Sequence, residues 1–157
     1  MKFILEKFID LISIPYSLIL CIRIFPLKIA LKMPLLVRFN ACINLQRGCK
    51  VSLKTEKIKP AMIRIGFGDI GILDKKYERT IIKICGTLIF NGITFIGQGA
   101  RVSCGKKGII EFGENFRNSG GLSLVCEDNI KFGKNVLIGW NTTIMDCDYH
   151  QIINLKT

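Results

Sequence analysis

The densest group of chemically capable side chains is the run Asp146-Cys147-Asp148-Tyr149-His150. His150 is the single histidine among 157 residues. Imidazole as a side-chain type titrates near neutral pH, which suits it to take a proton from a reacting group and return it later. Asp146 and Asp148 stand four and two residues before it, and either carboxylate could accept the second ring N–H and fix the tautomer. Cys147 invites a Cys–His nucleophile reading, but only its proximity supports it. Asp146, Asp148 and His150 would ligate a metal only if alternate residues faced one way around an open position. That signal is weak, and no metal is expected.

A repeat must position these residues. Three blocks begin with an apolar residue and glycine: IGQGAR (Ile96 to Arg101), FGENFR (Phe112 to Arg117) and FGKNVL (Phe132 to Leu137). The longer stretches I-E-F-G-E-N-F from Ile110 and I-K-F-G-K-N-V from Ile130 correspond over seven positions, 20 residues apart. A six-residue period runs through them. Phe132, Ile138 and Ile144 head successive hexads, as do Ile84, Phe90, Ile96 and Val102 earlier. This is the hexapeptide pattern of a parallel β-helix, with three hexads to a coil and the heading residues stacked inward. Asn115 and Asn135 sit where a left-handed corner is tolerated. Between Val102 and Ile110 the register slips by two, with Gly105-Lys106-Lys107-Gly108 as a loop. A second insertion falls near Asp128-Asn129. A β-sandwich with glycine-rich turns is the simpler alternative, and the seven-position match argues against it.

The period sets two readings of His150 side by side. It lies six residues after Ile144, so an unbroken register would point it into the core. Alternatively the acidic D-C-D-Y stretch leaves the coil and swings the imidazole outward. The G-F-G at Gly66 to Gly68 is too short for a nucleotide loop and reads as a turn.

The front of the chain differs. Residues 1–45 form an apolar and basic segment, and residues 46–157 carry the repeat. From Phe3 to Phe39 the apolar run is broken by Glu6, Lys7, Asp10, Arg23, Lys28 and Lys32. Its longest uncharged stretch, Leu11 to Ile22, has 12 residues, short of the roughly 20 that span a bilayer. Acidic residues at the front and no small-residue cleavage site argue against a signal peptide, and none is expected. One or two short helices are expected, packed on the body or a neighbouring subunit, or lying on the inner membrane leaflet with help from Arg23, Lys28 and Lys32.

Bulk properties agree with one domain able to bury a core. Hydrophobic residues make up 49%, charged residues 22%, and 15 glycines against four prolines favour many turns. The net charge of +11 favours an anionic partner. The cations are scattered singly or in pairs, so nucleic acid is not the expected one. Seven cysteines without a C-x-x-C pair suit small buried residues in a reducing, cytoplasmic setting.

Four stretches, FPLKIALKMPLLV (Phe25 to Val37), MIRIGFGDIGILDKK (Met62 to Lys76), CGTLIFNG (Cys85 to Gly92) and IKFGKNVLIGWNTTIMDCDYHQI (Ile130 to Ile152), together resemble bacterial polysaccharide-type O-acetyltransferases. That resemblance implies an all-β fold, a left-handed parallel β-helix with a short α-helical N-terminal segment. It also implies a homotrimer that binds acetyl-CoA between neighbouring β-helices and acetylates a carbohydrate hydroxyl of a surface glycan precursor. D-x-D-[FY]-H after an aliphatic-Met strand is where such families place a catalytic histidine, here His150, with Asp148 or Asp146 as its orienting carboxylate. Trp140 and Asn141, about half a coil earlier, are candidates to meet the acceptor, although an aromatic at a corner is as often plain packing. Enzymes of this kind continue with further coils that carry most of the CoA cleft. Only seven residues follow His150, so the chain is expected to represent the front part of one. The alternative is a non-catalytic β-helix module for assembly or docking, or an inactive fragment, with peripheral contact at the inner membrane face open to either.

Overall fold

A computed structural model describes residues 2–74 and 77–150. Its strands fall into three sheets. The first contains β1 (Leu35–Val37), β4 (Ile63–Phe67), β7 (Thr94–Gln98), β10 (Phe116–Gly120) and β13 (Leu137–Ile138). The second contains β2 (Cys42–Leu45), β5 (Ile81–Ile84), β8 (Arg101–Cys104), β11 (Ser123–Cys126) and β14 (Thr143–Met145). The third contains β3 (Lys50–Leu53), β6 (Thr87–Phe90), β9 (Ile109–Phe112) and β12 (Asn129–Lys131). The chain visits the sheets in fixed rotation, and every pairing is parallel. This arrangement is compatible with a parallel β-helix.

The spacing of coils follows the sequence repeat. Ile96 pairs with Asn118 and Asn118 with Ile138, offsets of 22 and then 20 residues. The longer coil contains Gly105–Gly108, where the Gly108 N–H donates to the Gly105 carbonyl at 3.0 Å. The expected two-residue slip is therefore a tight turn. Hexad-heading residues Ile84, Phe90, Ile96 and Val102 are buried as the period required. Phe90, Phe112 and Phe132 stack up the interior, with ring centroids 5.2 and 5.6 Å apart and planes within 12° of parallel. Phe116 meets Phe112 edge-on at 4.8 Å. Offset and edge-to-face contacts of this kind add to simple burial. Asn115 and Asn135 both take positive φ, 58° and 56°. The Asn115 amide donates to Asn135 Oδ1 at 3.0 Å, so the corner residues are also linked from coil to coil.

The interior is full. Its residual void is about 30 Å³ and is lined by aliphatic and aromatic side chains, room for about one water. Any ligand must therefore bind outside the coils.

The front segment differs from expectation in two respects. Of its two helices the first is long rather than short, α1 (Lys2–Ile24) running 23 residues and continuous through Pro15, and the short α2 (Leu27–Ala30) follows. Strands β1 and β2 also fall before residue 46, so the sheets begin inside the segment read as helical. Leu35–Val37 is buried at every position, and such a run has no period to separate strand from helix.

Helix α1 lies along the outer edge of β1, where the first coil would otherwise present unpaired backbone. The Val37 N–H donates to Ser17 Oγ at 2.8 Å and the Phe39 N–H donates to Ser13 Oγ at 3.1 Å. The Cys21 thiol points at the Leu35 carbonyl at 3.8 Å. Residues 13, 17 and 21 recur every fourth position and so share one helix face. They stand in for a preceding strand and close an edge that would otherwise be free to pair with another chain. Pro15 costs the helix a backbone bond. It is tolerated because Ser13 and Ser17, on either side, fasten the helix to the sheet; helical stability in proteins comes mostly from such packing. Arg64 of β4 adds an ion pair to Asp10 at 2.9 Å.

Candidate functional site

Two exposed places combine side chains capable of chemistry, and they lie at opposite ends of β14. After Met145 the chain leaves the regular coil. Asp146 stays behind: its carboxylate accepts the Glu127 N–H at 2.7 Å and the Asp128 N–H at 2.9 Å. The Cys126 thiol also approaches Asp146 Oδ2 at 3.4 Å. Desolvation raises the Asp146 pKa, but the amide and thiol donors outweigh it and hold the group below the usual carboxylate range. The Cys126 thiol is pushed up to about 12, by burial first and by Asp146 second, so it stays protonated and unreactive.

Tyr149 then takes a positive φ of 59°, and its hydroxyl donates to Glu127 Oε1 at 2.8 Å. That carboxylate favours the protonated phenol and raises its pKa. A bulky residue rarely adopts this backbone without a reason, and here the phenol's bond to Glu127 accompanies it. His150 follows and is 85% exposed. His150 thus lies exposed beyond the last strand, at the end of the described coils, where the hexad-heading Ile144 is itself only half-buried. The backbone N–H of His150 donates to Asp148 Oδ1 at 3.1 Å, and its Nδ1 lies 3.9 Å from Asp148 Oδ2. That gap is longer than a direct hydrogen bond. Of the two candidate orienting carboxylates, the structure brings Asp148 to the histidine and engages Asp146 with the coil below. Cys147 between them is half-buried. Among the described residues no group of three or more His, Cys, Asp or Glu side chains gathers as a metal site requires.

Trp140 and Asn141 form the other end. Asn141 turns the corner between β13 and β14 with φ 52°, and its backbone N–H donates to the Gly120 carbonyl at 3.2 Å. Trp140 is 60% exposed. It forms one wall of an open cleft of about 630 Å³, with Phe95, Arg117, Leu137 and the loop Gly68 to Gly71. Phe95, Arg117 and Leu137 are cross-strand neighbours on the outer face of the first sheet, and the Arg117 guanidinium lies 5.1 Å from the Phe95 ring centre, a cation–π distance. Beneath them Asn118 is fully buried. It accepts the Gly97 N–H and donates to the Gly139 carbonyl, both at 3.3 Å. Those bonds satisfy it and hold three successive coils in register.

The cleft was not foreseen. Its signal is present, because alternation places Phe95, Arg117 and Leu137 outward and their offsets of 22 and 20 match the coil. The missing part was the excursion after β4 that carries Gly68 to Gly71 over them. Trp140 belongs to this cleft, Asn141 is the neighbouring corner residue set against Gly120 and Gly121 and does not line it, and His150 follows β14 at its other end.

No family model, curated protein or solved structure matches this chain.

Proposed function

We propose that this chain carries the catalytic histidine of a left-handed, hexapeptide-repeat β-helix acyltransferase, which moves the acetyl group of acetyl-CoA to a carbohydrate hydroxyl. The observation that carries the reading is an exposed His150 at the end of a stack of parallel coils, with Asp148 on its Nδ1 side. Hexad positions stacked inward and asparagine corners at positive φ support the architecture.

In this reading the 3.9 Å gap between Asp148 and Nδ1 closes to a hydrogen bond in the assembled site, and Asp148 then favours the tautomer that leaves Nε2 as the base. Nε2 takes the hydroxyl proton while the sugar oxygen attacks the thioester carbonyl. The tetrahedral oxyanion then collapses, the C–S bond breaks, and the imidazolium returns the proton to the leaving CoA sulfur. General-base catalysis of this kind contributes about 10²–10⁴-fold. Trp140 and Asn141 supply a surface where a sugar ring can stack. The exposure of His150 is consistent with a site completed by a neighbouring subunit, as in a homotrimer that shuts out water.

The test is acetyl-CoA binding by calorimetry with mass in solution, followed by CoA-thiol release in the presence of a panel of sugars. Turnover should fall by about 10²-fold or more in His150→Asn while acetyl-CoA binding is kept. Transfer unaffected by that substitution, or no acetyl-CoA binding by any assembly of the chain, would leave a non-catalytic β-helix module in its place.

A further inference from the structure

Helix α1 is amphipathic in the reverse of the usual sense. Successive residues turn by about 100° around a helix, which divides α1 into two faces. Towards the sheet it directs Ser13, Ser17, Leu20 and Cys21, all buried, and the carboxylate of Asp10 bound to Arg64. Away from the protein it directs Phe8, Leu11, Ile12, Pro15, Ile19 and Ile22, all exposed. Leu11 and Ile19 are 61% and 58% exposed. A helix facing water normally carries its polar residues there. This one spends its hydroxyls on the sheet edge and leaves its aliphatic stripe bare. Helix α2 and the residue after it continue the pattern, with Leu27 and Leu31 exposed beside Lys28 and Lys32.

We infer that this face is a docking surface for an anionic phospholipid bilayer, with α1 lying in the plane of the interface. The inference is independent of the acyltransferase reading. Contiguous apolar surface of this kind marks an interaction site, and charge selects the occupant. Arg23, Lys28 and Lys32 are exposed at the C-terminal end of the stripe, while the one acidic side chain described on α1 is turned inward. A second copy docked on this stripe would offer no described carboxylate on the same face to meet these cations, whereas anionic headgroups complement them. The overall charge of +11 acts in the same direction. Among the described residues no helix is long and apolar enough to cross a membrane, so the helix lies on the bilayer rather than through it.

The experiment is flotation of the purified chain with phosphatidylcholine vesicles and with equimolar phosphatidylcholine and phosphatidylglycerol vesicles, alongside light scattering without lipid. The chain should float with the anionic vesicles. Leu11→Glu/Ile19→Glu should lower that partition by about tenfold or more, as should Arg23→Glu/Lys28→Glu/Lys32→Glu. Raising salt from about 0.05 M to about 0.5 M should weaken it in the unaltered chain. Ile19→Trp provides a readout free of any loss of fold: brominated lipid should quench its fluorescence beyond the background of Trp140. The inference is overturned if the chain stays in solution with both vesicle types, or if the double glutamate variant floats as well as the original. It is also overturned if light scattering gives a dimer that dissociates in that variant without any vesicle binding, since the occupant is then a second copy.

Discussion

Ser17→Ala tests whether the helix closes the sheet edge. Ser17 Oγ accepts the buried Val37 N–H at 2.8 Å, and its own proton is shared between the Ser13 carbonyl at 2.7 Å and the Val37 carbonyl at 3.2 Å. Truncation to alanine leaves the Val37 N–H buried under a helix with no acceptor. An orphaned buried donor costs about 1–3 kcal/mol. Alanine is the better helix former by about 0.5 kcal/mol, so the net loss should be about 0.5–2.5 kcal/mol. Urea unfolding followed by circular dichroism reads the loss as a lowered midpoint with unchanged slope. Hydrogen exchange locates it, because the Val37 amide should lose protection before Ile65 or Ile96, which lie in the same sheet one and two coils in. Ser13→Ala should act in the same direction through Phe39, less strongly because that bond is longer and only part-buried. A midpoint unchanged or raised, with Val37 still protected, would refute the claim that α1 replaces a strand.

Phe112→Ala should cost about 3–5 kcal/mol, since its ring is fully buried between Phe90 and Phe132; Phe95→Ala, on the outer face, should cost far less in the same urea titration. Gly108→Ala should destabilise by about 1–3 kcal/mol, because an added Cβ would lie 2.5 Å from the Cys126 carbonyl oxygen of the next coil. Gly139→Ala, where that Cβ meets nothing within 4 Å, should stay within about 0.5 kcal/mol of the original. Asp146→Asn should cost about 1 kcal/mol or less at neutral pH, the group being largely exposed. Its folded pKa is lowered, so the stabilisation is complete above the ordinary value of 3.8 and fades as pH falls through the folded value. Thermal melts of the two proteins should therefore converge below about pH 4.

Much of the coil was legible in the residues because a stacked coil makes local demands. Each turn must place an aliphatic or aromatic group inward at a fixed interval and a residue tolerant of positive φ at the corner. Those demands recur as Phe90, Phe112 and Phe132 inside and as Asn115 and Asn135 at the corners. The slip at Gly105 to Gly108 was visible for the same reason: two extra residues shift every later position of the period. The parallel sheets and their spacing were thus available from pattern alone.

The remainder depended on long-range pairing. The setting of His150 depends on Asp146 and Tyr149, which reach back to Glu127 and Asp128 in the coil below, and no local rule joins positions about twenty residues apart across a corner. The cleft beside Trp140 needed the excursion after β4 to fold over the first sheet. Ser13 and Ser17 read as polar interruptions in an apolar helix until β1 was placed against them. Burial of backbone groups is a property of the assembled edge, so only the tertiary structure could turn two serines inward and leave an aliphatic stripe facing out.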